Sequence, residues 1–315
     1  MTFTVSSYKG ADMISRRKFL KTGAAVGFVS GPFFTGRVYA QGSADIAVVK
    51  GSNVEATVRA AVAAVGGMEA FVKKGSQVII KPNLSFASEP ERAATTNPDV
   101  LMAVMKICLE AGARKVLVVD HPLQDAAIIG SRATVAEVVK QTRNAVLMLP
   151  TTENLYVETP IPLGKEMKSC KLVRILREAD VLINLPVAKS HSATGVSLGL
   201  KGNMGLNWDR KWMHNATDLD QTIADLATVV KPNLTIIDAI RALTTRGPQG
   251  PGKVANLGTI IAGRDPVAVD SYAVSLTPWY GRELTGKNVK HLLYASQMGV
   301  GEVDTSKLKV VQKTV

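Results

Sequence analysis

Short apolar runs alternate along the chain with segments whose apolar positions recur at helical spacing. Several runs are apolar throughout, which is typical of strands covered on both faces. These runs predict strands at 45–49, 77–80, 115–119, 179–185, 234–238 and 257–262. Helical spacing predicts helices at 54–71 (one or two, with a break near Gly66), 98–111, 135–141, 218–230 and 265–276.

The regular alternation of strand and helix predicts the fold class. Such a pattern is typical of an α/β fold with a mainly parallel sheet in a three-layer arrangement, with helices on both faces. The helix at 98–111 is the best marked, since Asn97 suits its cap and Pro98 its first turn. No repeat or low-complexity linker interrupts the pattern, so we predict that residues 41–315 form a single α/β domain.

The first forty residues have the layout of an export signal. Residues 15–21 read SRRKFLK, a twin-arginine motif, and an apolar segment follows at 22–34. Small residues around Ala40 suit cleavage by a signal peptidase. We therefore predict a signal peptide at 1–40, cleaved after Ala40. Its partner would be the twin-arginine export machinery, which would deliver the folded protein to the periplasm.

A short membrane anchor is the alternative interpretation of the same segment. Three glycines and Pro32 interrupt the apolar run. The run is also shorter than the ~20 apolar residues that a membrane span needs. We therefore expect a cleaved signal peptide and no stable membrane anchor.

The charge balance favours a small anionic partner over a nucleic acid. The whole chain has a formal net charge of +12, and the part after residue 40 carries 32 Lys or Arg and 25 Asp or Glu, a net charge of +7. Aromatic residues make up only 5%, and they are not interleaved with runs of Lys and Arg. We therefore expect no nucleic-acid binding. A modest positive charge suits an anionic small ligand.

The two cysteines lie in apolar periodic segments and are predicted to be buried thiols. An intramolecular disulfide between Cys108 and Cys170 is the alternative in an exported protein. The sequence has no CxxC motif or other cysteine cluster. We therefore expect no resident iron–sulfur cluster.

Charged or polar residues follow five of the predicted strands. In open α/β sheets, ligands bind beyond the carboxyl ends of the strands. We therefore predict one pocket shared by these residues, although each residue alone could be a helix cap or a turn residue. The residues are Lys81 with Asn83, Asp120 with His121, Lys189 with His191, Asp238, and Arg264 with Asp265.

The segment from Val181 to Asn215 is the densest part of this pattern. Small neighbours leave His191 accessible as a general base, and glycines on both sides of Lys201 let a ligand approach the backbone. Thr96 precedes a helix N-terminus, where an anion or simple capping is expected. We predict His191 and Lys201 as catalytic residues. The predicted ligand-binding residues are Lys81, Asn83, Thr96, Lys189, Asn203 and Asp238.

Metal binding is a further hypothesis for the same region. His191, His214 and Asp120 are the candidate metal ligands, with His121 as another candidate, although each histidine could instead be structural. We place His291 on a surface helix and expect it to be uninvolved. A Gly- and Pro-rich stretch with three cations at 241–254 is either a solvent-exposed connector or a lid over the ligand.

These motifs, in this order, resemble a large prokaryotic family, domain of unknown function 362. The resemblance covers most of the chain after residue 40 and implies membership without implying a specific activity. Many relatives carry ferredoxin-type cysteine clusters, which this chain lacks, so built-in cluster chemistry is not implied. The motifs are KPN at 81–83, TTNP at 95–98, INLP at 183–186, GLKGNMG at 199–205 and IAGRDPVAVD at 261–270.

A second resemblance is to the nickel-pincer lactate racemase family. In that family a glycine-rich segment with a lysine precedes a histidine, as Lys201 precedes His214 here. The resemblance implies a lysine that fixes a cofactor and histidines that act as acid and base. It therefore makes a metal or an organometallic compound the candidate cofactor.

The sequence supports hypotheses from two functional classes. The first is an exported enzyme that binds an anionic small molecule or a metal-containing cofactor at the carboxyl edge of its sheet, with the reaction unspecified. The second is a periplasmic accessory protein that binds a ligand or metal and delivers it to a redox enzyme. A redox accessory whose centre comes from a periplasmic partner is a variant of the second. Turnover distinguishes the two classes, because a carrier leaves its ligand unchanged.

Overall fold

The structure is a computed structural model that describes residues 43–315. The predicted signal peptide at 1–40 lies outside the described residues, which fall within one compact unit. No helix in this described part is both long and apolar enough to cross a bilayer.

The strands are β1 Ile46–Lys50, β2 Gln77–Pro82, β3 Lys115–Val119, β4 Ala145–Met148, β5 Tyr156–Pro160, β6 Ser169–Val173, β7 Val181–Leu185, β8 Val187–His191, β9 Gly195–Ser197, β10 Leu234–Leu243, β11 Val254–Gly263 and β12 Val310–Thr314.

Nine α-helices connect these strands within residues 43–315. Most are short, and α2 is the longest with 13 residues. The helices are α1 Val54–Ala64, α2 Pro98–Glu110, α3 Ala126–Arg132, α4 Val135–Gln141, α5 Gly199–Gly202, α6 Arg210–Asn215, α7 Leu219–Ala227, α8 Pro266–Val274 and α9 Lys290–Gln297.

The main sheet is mostly parallel, as predicted. Its strand order is β12-β1-β11-β10-β7-β2-β3-β4, with β8 beside the end of β10 and β9 beside β8. Strand β2 pairs in parallel with β3 and with β7. Strand β7 pairs in parallel with β10, and β3 with β4. The pairings of β11 and the β8–β9 hairpin are antiparallel. Strands β5 and β6 form a separate antiparallel pair.

Two apolar cores lie on opposite faces of this sheet. Successive residues of a strand point to opposite faces, so Ile79 of β2 enters one core while Val78 and Ile80 enter the other. The first core contains residues of α7, α8 and α9, and the second contains residues of α1, α2 and α4. This arrangement confirms the three-layer α/β fold with helices on both faces.

The best-marked helix of the sequence forms as expected. Asn97 caps α2, because its side-chain oxygen accepts a hydrogen bond from Asp99 N at 3.0 Å, and Pro98 opens the first turn. Gly112 follows with φ 98°, a conformation that side chains disfavour, and the chain turns there towards β3. The capped terminus brings the loop at 93–97 to the carboxyl edge of the sheet.

The direction of β11 corrects one part of the predicted pocket. Because β11 runs antiparallel to β10, Gly263 pairs with Thr235 at the start of β10. Arg264 and Asp265 therefore lie at the opposite edge of the sheet from the other candidates. Arg264 stacks on the ring of Phe71 at 4.0 Å, and Asp265 caps α8. The prediction that all five strand ends share one edge is wrong for this pair.

Two further elements differ from the predictions. Residues 187–191 form β8 and pair with β9, so Lys189 and His191 belong to a strand and not to a loop. The loop predicted at 241–254 is shorter than expected, because β10 continues to Leu243 and β11 begins at Val254. Buried polar side chains on β8 hide the alternation by which a strand is recognised.

Candidate functional site

A small cavity lies at the carboxyl edge of the sheet, where the loops after β2 and β3 meet β8, α5 and α6. Its volume is about 60 Å³, enough for roughly four water molecules or one small anionic group. None of the described residues that line it is an Asp or a Glu. Its charged and polar lining residues are Asn83, Ser85, Lys189, His191, Ser197, Lys201, Arg210 and His214.

Lys189 reaches the cavity from the middle of β8. Its side chain is 1% exposed, and its Nζ donates to Asn83 Oδ1 at 3.0 Å and to the Ala94 carbonyl at 2.6 Å. The ammonium also lies 5.1 Å from the centroid of the Phe86 ring, a favourable cation–π arrangement. Burial, and then the nearby positive charge of Lys201, lower the pKa of Lys189 to about 7. The charge of Asp120 opposes this shift only in part.

Lys201 lies on α5, which a buried carboxylate holds in place. Asp270 accepts hydrogen bonds from Gly199 N at 2.9 Å and Leu200 N at 2.8 Å, and burial raises the pKa of Asp270 to about 7. Lys201 Nζ lies 3.6 Å from Met204 Sδ and 3.5 Å from a nitrogen of His214. Burial, and then the charge of Arg210, lower the pKa of Lys201 to about 7.

Arg210 is a cavity residue that the sequence patterns did not single out. It is 6% exposed, and its Nε and Nη2 are buried without a hydrogen-bond partner in the described part of the chain. Burial lowers its pKa, while the charge of Asp120 raises it. A guanidinium with free donors suits bidentate contact with a carboxylate or a phosphate. The signal available in the sequence was the spacing of Arg210 and His214, one helical turn apart.

The two cavity histidines are held in opposite tautomers. His214 Nδ1 lies 2.8 Å from the Arg210 carbonyl and must donate to it, so its Nε2 carries a lone pair that faces Lys201 Nζ at 3.5 Å. His191 Nδ1 accepts from Ala193 N at 3.2 Å, so its proton is on Nε2. Burial, followed by the charge of Lys201, lowers the pKa of both rings, which are therefore neutral near pH 7. Their ring centroids are 6.4 Å apart.

Lys81 and Asp120 form a buried ion pair behind the cavity wall. Lys81 Nζ lies 3.0 Å from Asp120 Oδ1, and Asp120 Oδ2 accepts from Leu84 N at 2.6 Å. Gly205 covers the pair, since a Cβ atom there would collide with Asp120 Oδ1. Burial lowers the pKa of Lys81 despite its partner. Neither residue lines the cavity, so this pair supports the site from beneath.

The other predicted ligand-binding residues hold neighbouring loops. The Thr96 hydroxyl accepts from Asn83 N and donates to the Leu185 carbonyl, both at 2.8 Å. Asp238 Oδ2 accepts from Asn97 N at 2.8 Å. Asn203 is 1% exposed, and its Oδ1 is buried without a hydrogen-bond partner among residues 43–315. None of the three lines the cavity, and a ligand-binding role for them stays a prediction.

The stretch predicted as connector or lid contributes one residue to the cavity. Pro248 lies in the wall. Its neighbour Gly247 is tied down, because Gly247 N donates to Ser190 Oγ at 3.0 Å and the Tyr280 hydroxyl donates to the Gly247 carbonyl at 3.2 Å. A side chain at Gly247 would collide with the Ser190 carbonyl. The loop is therefore a fixed part of the wall in this structure.

The structure adds no support to the metal hypothesis. Among residues 43–315, no group of three or more His, Cys, Asp or Glu side chains lies close enough to hold a metal ion. Asp120 is engaged by Lys81, and His121 stacks on Trp208 with ring centroids 5.2 Å apart. A metal held by His191, His214 and Asp120 therefore stays a prediction.

Two predictions about residues outside the cavity have different outcomes. His291 is fully buried and lies 3.0 Å from Asp220 through Nδ1, so placing it on the surface was wrong. Cys108 and Cys170 are both buried and unpaired, as predicted. Burial raises the pKa of both thiols, that of Cys170 to about 12, so neither is an activated nucleophile.

A comparison with known protein families identifies the relationship. The family described as Domain of unknown function (DUF362) matches residues 78–275, the region that contains every polar wall of the cavity. The chain belongs to this family. The description of the family names no activity, so membership does not specify the chemistry of the cavity.

Two individual proteins are similar to this family member. The thylakoid-associated protein sll1697 of Synechocystis sp. is 30% identical over 231 residues, which cover 68% of this chain and 67% of that protein. The lactate racemase apoprotein of Thermoanaerobacterium thermosaccharolyticum is 17% identical, with a TM-score of 0.43. That alignment covers 71% of this chain and 54% of the racemase chain.

Proposed function

We propose that this protein is an enzyme that binds a small anionic group, a carboxylate or a phosphate, in the acid-free cavity. The supporting observation is that Lys189, Lys201 and Arg210 converge on a cavity of about 60 Å³ without an Asp or Glu in its wall. The small volume limits the bound group to the anionic head of a ligand. Arg210 supplies a planar pair of donors, and the two lysines supply compact charges.

The energetic argument rests on the cost of burying charge. Removing a cation from water costs several kcal/mol unless a counter-charge is near. The lowered pKa values of Lys189 and Lys201 express this cost, because burial favours their neutral forms. A bound anion would compensate the three cations and satisfy the free donors of Arg210. The cavity is thus better suited to the anion-bound state than to the empty state.

The histidine pair supports proton transfer as the chemistry. With its proton on Nε2, neutral His191 is able to donate a hydrogen bond to the ligand, and His214, with a lone pair on Nε2, is able to accept a proton from it. Lys201 lies beside His214 and would stabilise negative charge that develops on the ligand. These roles deepen the sequence prediction for His191 and Lys201 and add His214 and Arg210 to it.

Calorimetric titration with methylphosphonate tests the binding step. We expect saturable binding to the wild-type protein. Arg210→Gln should weaken it by about 30-fold or more, because a buried charged contact is worth about 2 kcal/mol or more. Lys211→Gln is the matched control, since Lys211 is the exposed neighbour of Arg210 on α6. Equal binding by wild type and Arg210→Gln would contradict the proposal.

Turnover separates an enzyme from the carrier hypothesis. Mass spectrometry of protein purified from its native host would identify the ligand that travels with it. We expect the wild-type protein to convert that ligand, and His191→Ala to bind it without conversion. A wild-type protein that returns its ligand unchanged would instead favour the periplasmic binding or assembly role.

We further propose that the protein is exported to the periplasm by the twin-arginine machinery. The support is the SRRKFLK motif at 15–21 with the small residues around Ala40. Replacing Arg16 and Arg17 together by Lys should keep the protein in the cytoplasm with its signal peptide attached. Cell fractionation and the mass of the mature N-terminus measure this outcome. An unchanged periplasmic fraction would contradict export by this route.

A further inference from the structure

A larger pocket lies at the same edge of the sheet as the cavity. Its volume is about 420 Å³, seven times that of the cavity, which leaves room for the body of an organic molecule. We call it the outer pocket and the cavity the inner pocket. The outer pocket is lined by polar and basic residues, among them Ser88, Arg92, Gln124, Arg132 and Gln249.

The two pockets are built from the same three loops. In each loop, a residue of the inner pocket directly precedes a residue of the outer pocket along the chain. The three pairs are Phe86 with Ala87, Leu123 with Gln124, and Pro248 with Gln249. Because neighbouring residues are 3.8 Å apart at their Cα atoms, the linings of the two pockets are continuous along these three loops.

Hydrogen bonds between two of the loops fix this shared wall. Leu123 N donates to the Ser85 carbonyl at 3.0 Å, beside the inner pocket. Ala87 N donates to Gln124 Oε1 at 2.6 Å, beside the outer pocket. The loops after β2 and β3 are therefore tied together by one hydrogen bond beside each pocket.

The outer pocket also has a basic wall without an acidic one. Its charged lining residues are Arg92 and Arg132, and no Asp or Glu lines it among the described residues. Arg92 is engaged by Glu89 at 2.9 Å. Arg132, at the end of α3, is exposed and makes no hydrogen bond or ion pair within residues 43–315. Arg132 is thus the cation available to a ligand.

We infer that the two pockets form one binding site for an elongated organic ligand with an anionic group at each end. One anionic group would occupy the inner pocket, the body would fill the outer pocket, and the second anionic group would contact Arg132. This inference rests on the proposed function, because the inner pocket must bind the first group. It adds the class of ligand, a two-headed anion, and a residue that selects it.

Matched one-headed and two-headed probes test this inference. Methylphosphonate represents the first anionic group alone, and 1,4-butanediyl- and 1,6-hexanediyl-bisphosphonate represent ligands with two. We expect at least one bisphosphonate to bind the wild-type protein about fivefold more tightly than methylphosphonate, as a partly exposed ion pair allows. Arg132→Gln should remove this advantage and leave methylphosphonate binding within about twofold of wild type.

Two control variants make the result specific. Arg143→Gln removes an exposed arginine that lines neither pocket, and it should change neither affinity. Arg210→Gln should weaken the binding of all three probes together. A bisphosphonate advantage that survives Arg132→Gln would overturn the assignment of Arg132.

The failure of the inference and the failure of the proposed function give different results. If methylphosphonate binds in an Arg210-dependent way but neither bisphosphonate binds more tightly, the two-headed ligand is wrong and the anion site stands. If the wild-type protein binds none of the probes, both the anion site and the inference built on it are overturned.

Discussion

Buried carboxylates and buried cations differ in how completely their hydrogen bonds are satisfied in this protein. Asp225 and Asp270 are fully buried, and each is surrounded by backbone N–H donors. Arg210 is almost as deeply buried, yet its Nε and Nη2 lack hydrogen-bond partners within the described residues. No carboxylate from this part of the chain lines the cavity that Lys189 and Lys201 share with it. Equal burial therefore marks two roles, since a satisfied charge holds the fold and an unsatisfied charge is prepared for a ligand.

The difference also shows in where the charges lie along the sheet. The carboxylates anchor loops and helix starts, as Asp225 does for residues 165–167 and Asp270 does for α5. The cations project from three separate elements into one cavity. A fold that neutralised every buried group would gain stability and lose the ability to bind an anion there. The predictions below separate these two roles.

The largest effect is expected for a satisfied carboxylate. Asp225 accepts hydrogen bonds from the backbone N–H groups of Lys165, Glu166 and Met167 at 2.7–2.9 Å. Asp225→Ala leaves these donors buried without a partner, so the free energy of unfolding should fall by about 3–5 kcal/mol. Chemical denaturation measures it. Glu91→Ala, at an exposed position, should change it by less than about 0.5 kcal/mol.

The pH dependence of anion binding tests the role of the buried cavity cations. Lys189 and Lys201 have pKa values lowered to about 7, so both are mostly protonated below pH 7 and lose their charge above it. The affinity for sulfate, whose charge is constant in this range, should be highest near pH 6. It should fall as the pH rises, by up to about tenfold per pH unit for each titrating lysine.

A non-titrating variant sharpens this test. Lys201→Arg keeps the positive charge, because a guanidinium stays protonated throughout this range. The decline of sulfate affinity above pH 7 should therefore be shallower in Lys201→Arg than in the wild-type protein. A flat wild-type profile between about pH 6 and pH 9 would show that neither lysine titrates in the binding range.

The smallest effect is a gain of stability on removing a cation. Arg210→Met replaces a buried charge, whose Nε and Nη2 have no hydrogen-bond partner among residues 43–315, by an apolar side chain of similar length. The free energy of unfolding, measured without added anion, should stay the same or rise by about 1 kcal/mol. A loss of several kcal/mol would mean that Arg210 supports the fold, and the contrast with Asp225 would fail.

Much of the fold could be predicted because its signals are local. Asn97, Pro98 and Gly112 mark the ends of α2, and the apolar runs of β2, β3 and β7 mark buried parallel strands. The direction of β11 could not be predicted in this way. An apolar run has the same pattern in either direction, so Arg264 and Asp265 were assigned to the wrong edge.

The cavity was predicted in part for a similar reason. Lys189, Lys201 and His191 were predicted from glycines and strand ends, which are features of the sequence itself. Arg210 was missed because its significance lies in two side-chain nitrogens without a partner among the described residues, which depends on how α6 packs. Thr96 and Asp238 lie at the expected edge, but their side-chain oxygens already accept hydrogen bonds from backbone N–H groups of other segments.

The position of a bound anion is the most direct test of the account. Crystals soaked in selenate would show the anion through the anomalous scattering of selenium. We expect one ordered peak in the inner pocket, roughly 3 Å from Arg210 Nε or Nη2 and within reach of Lys189 and Lys201. Selenate bound only at surface sites, with the inner pocket filled by water, would contradict the claim that these cations form an anion-binding site.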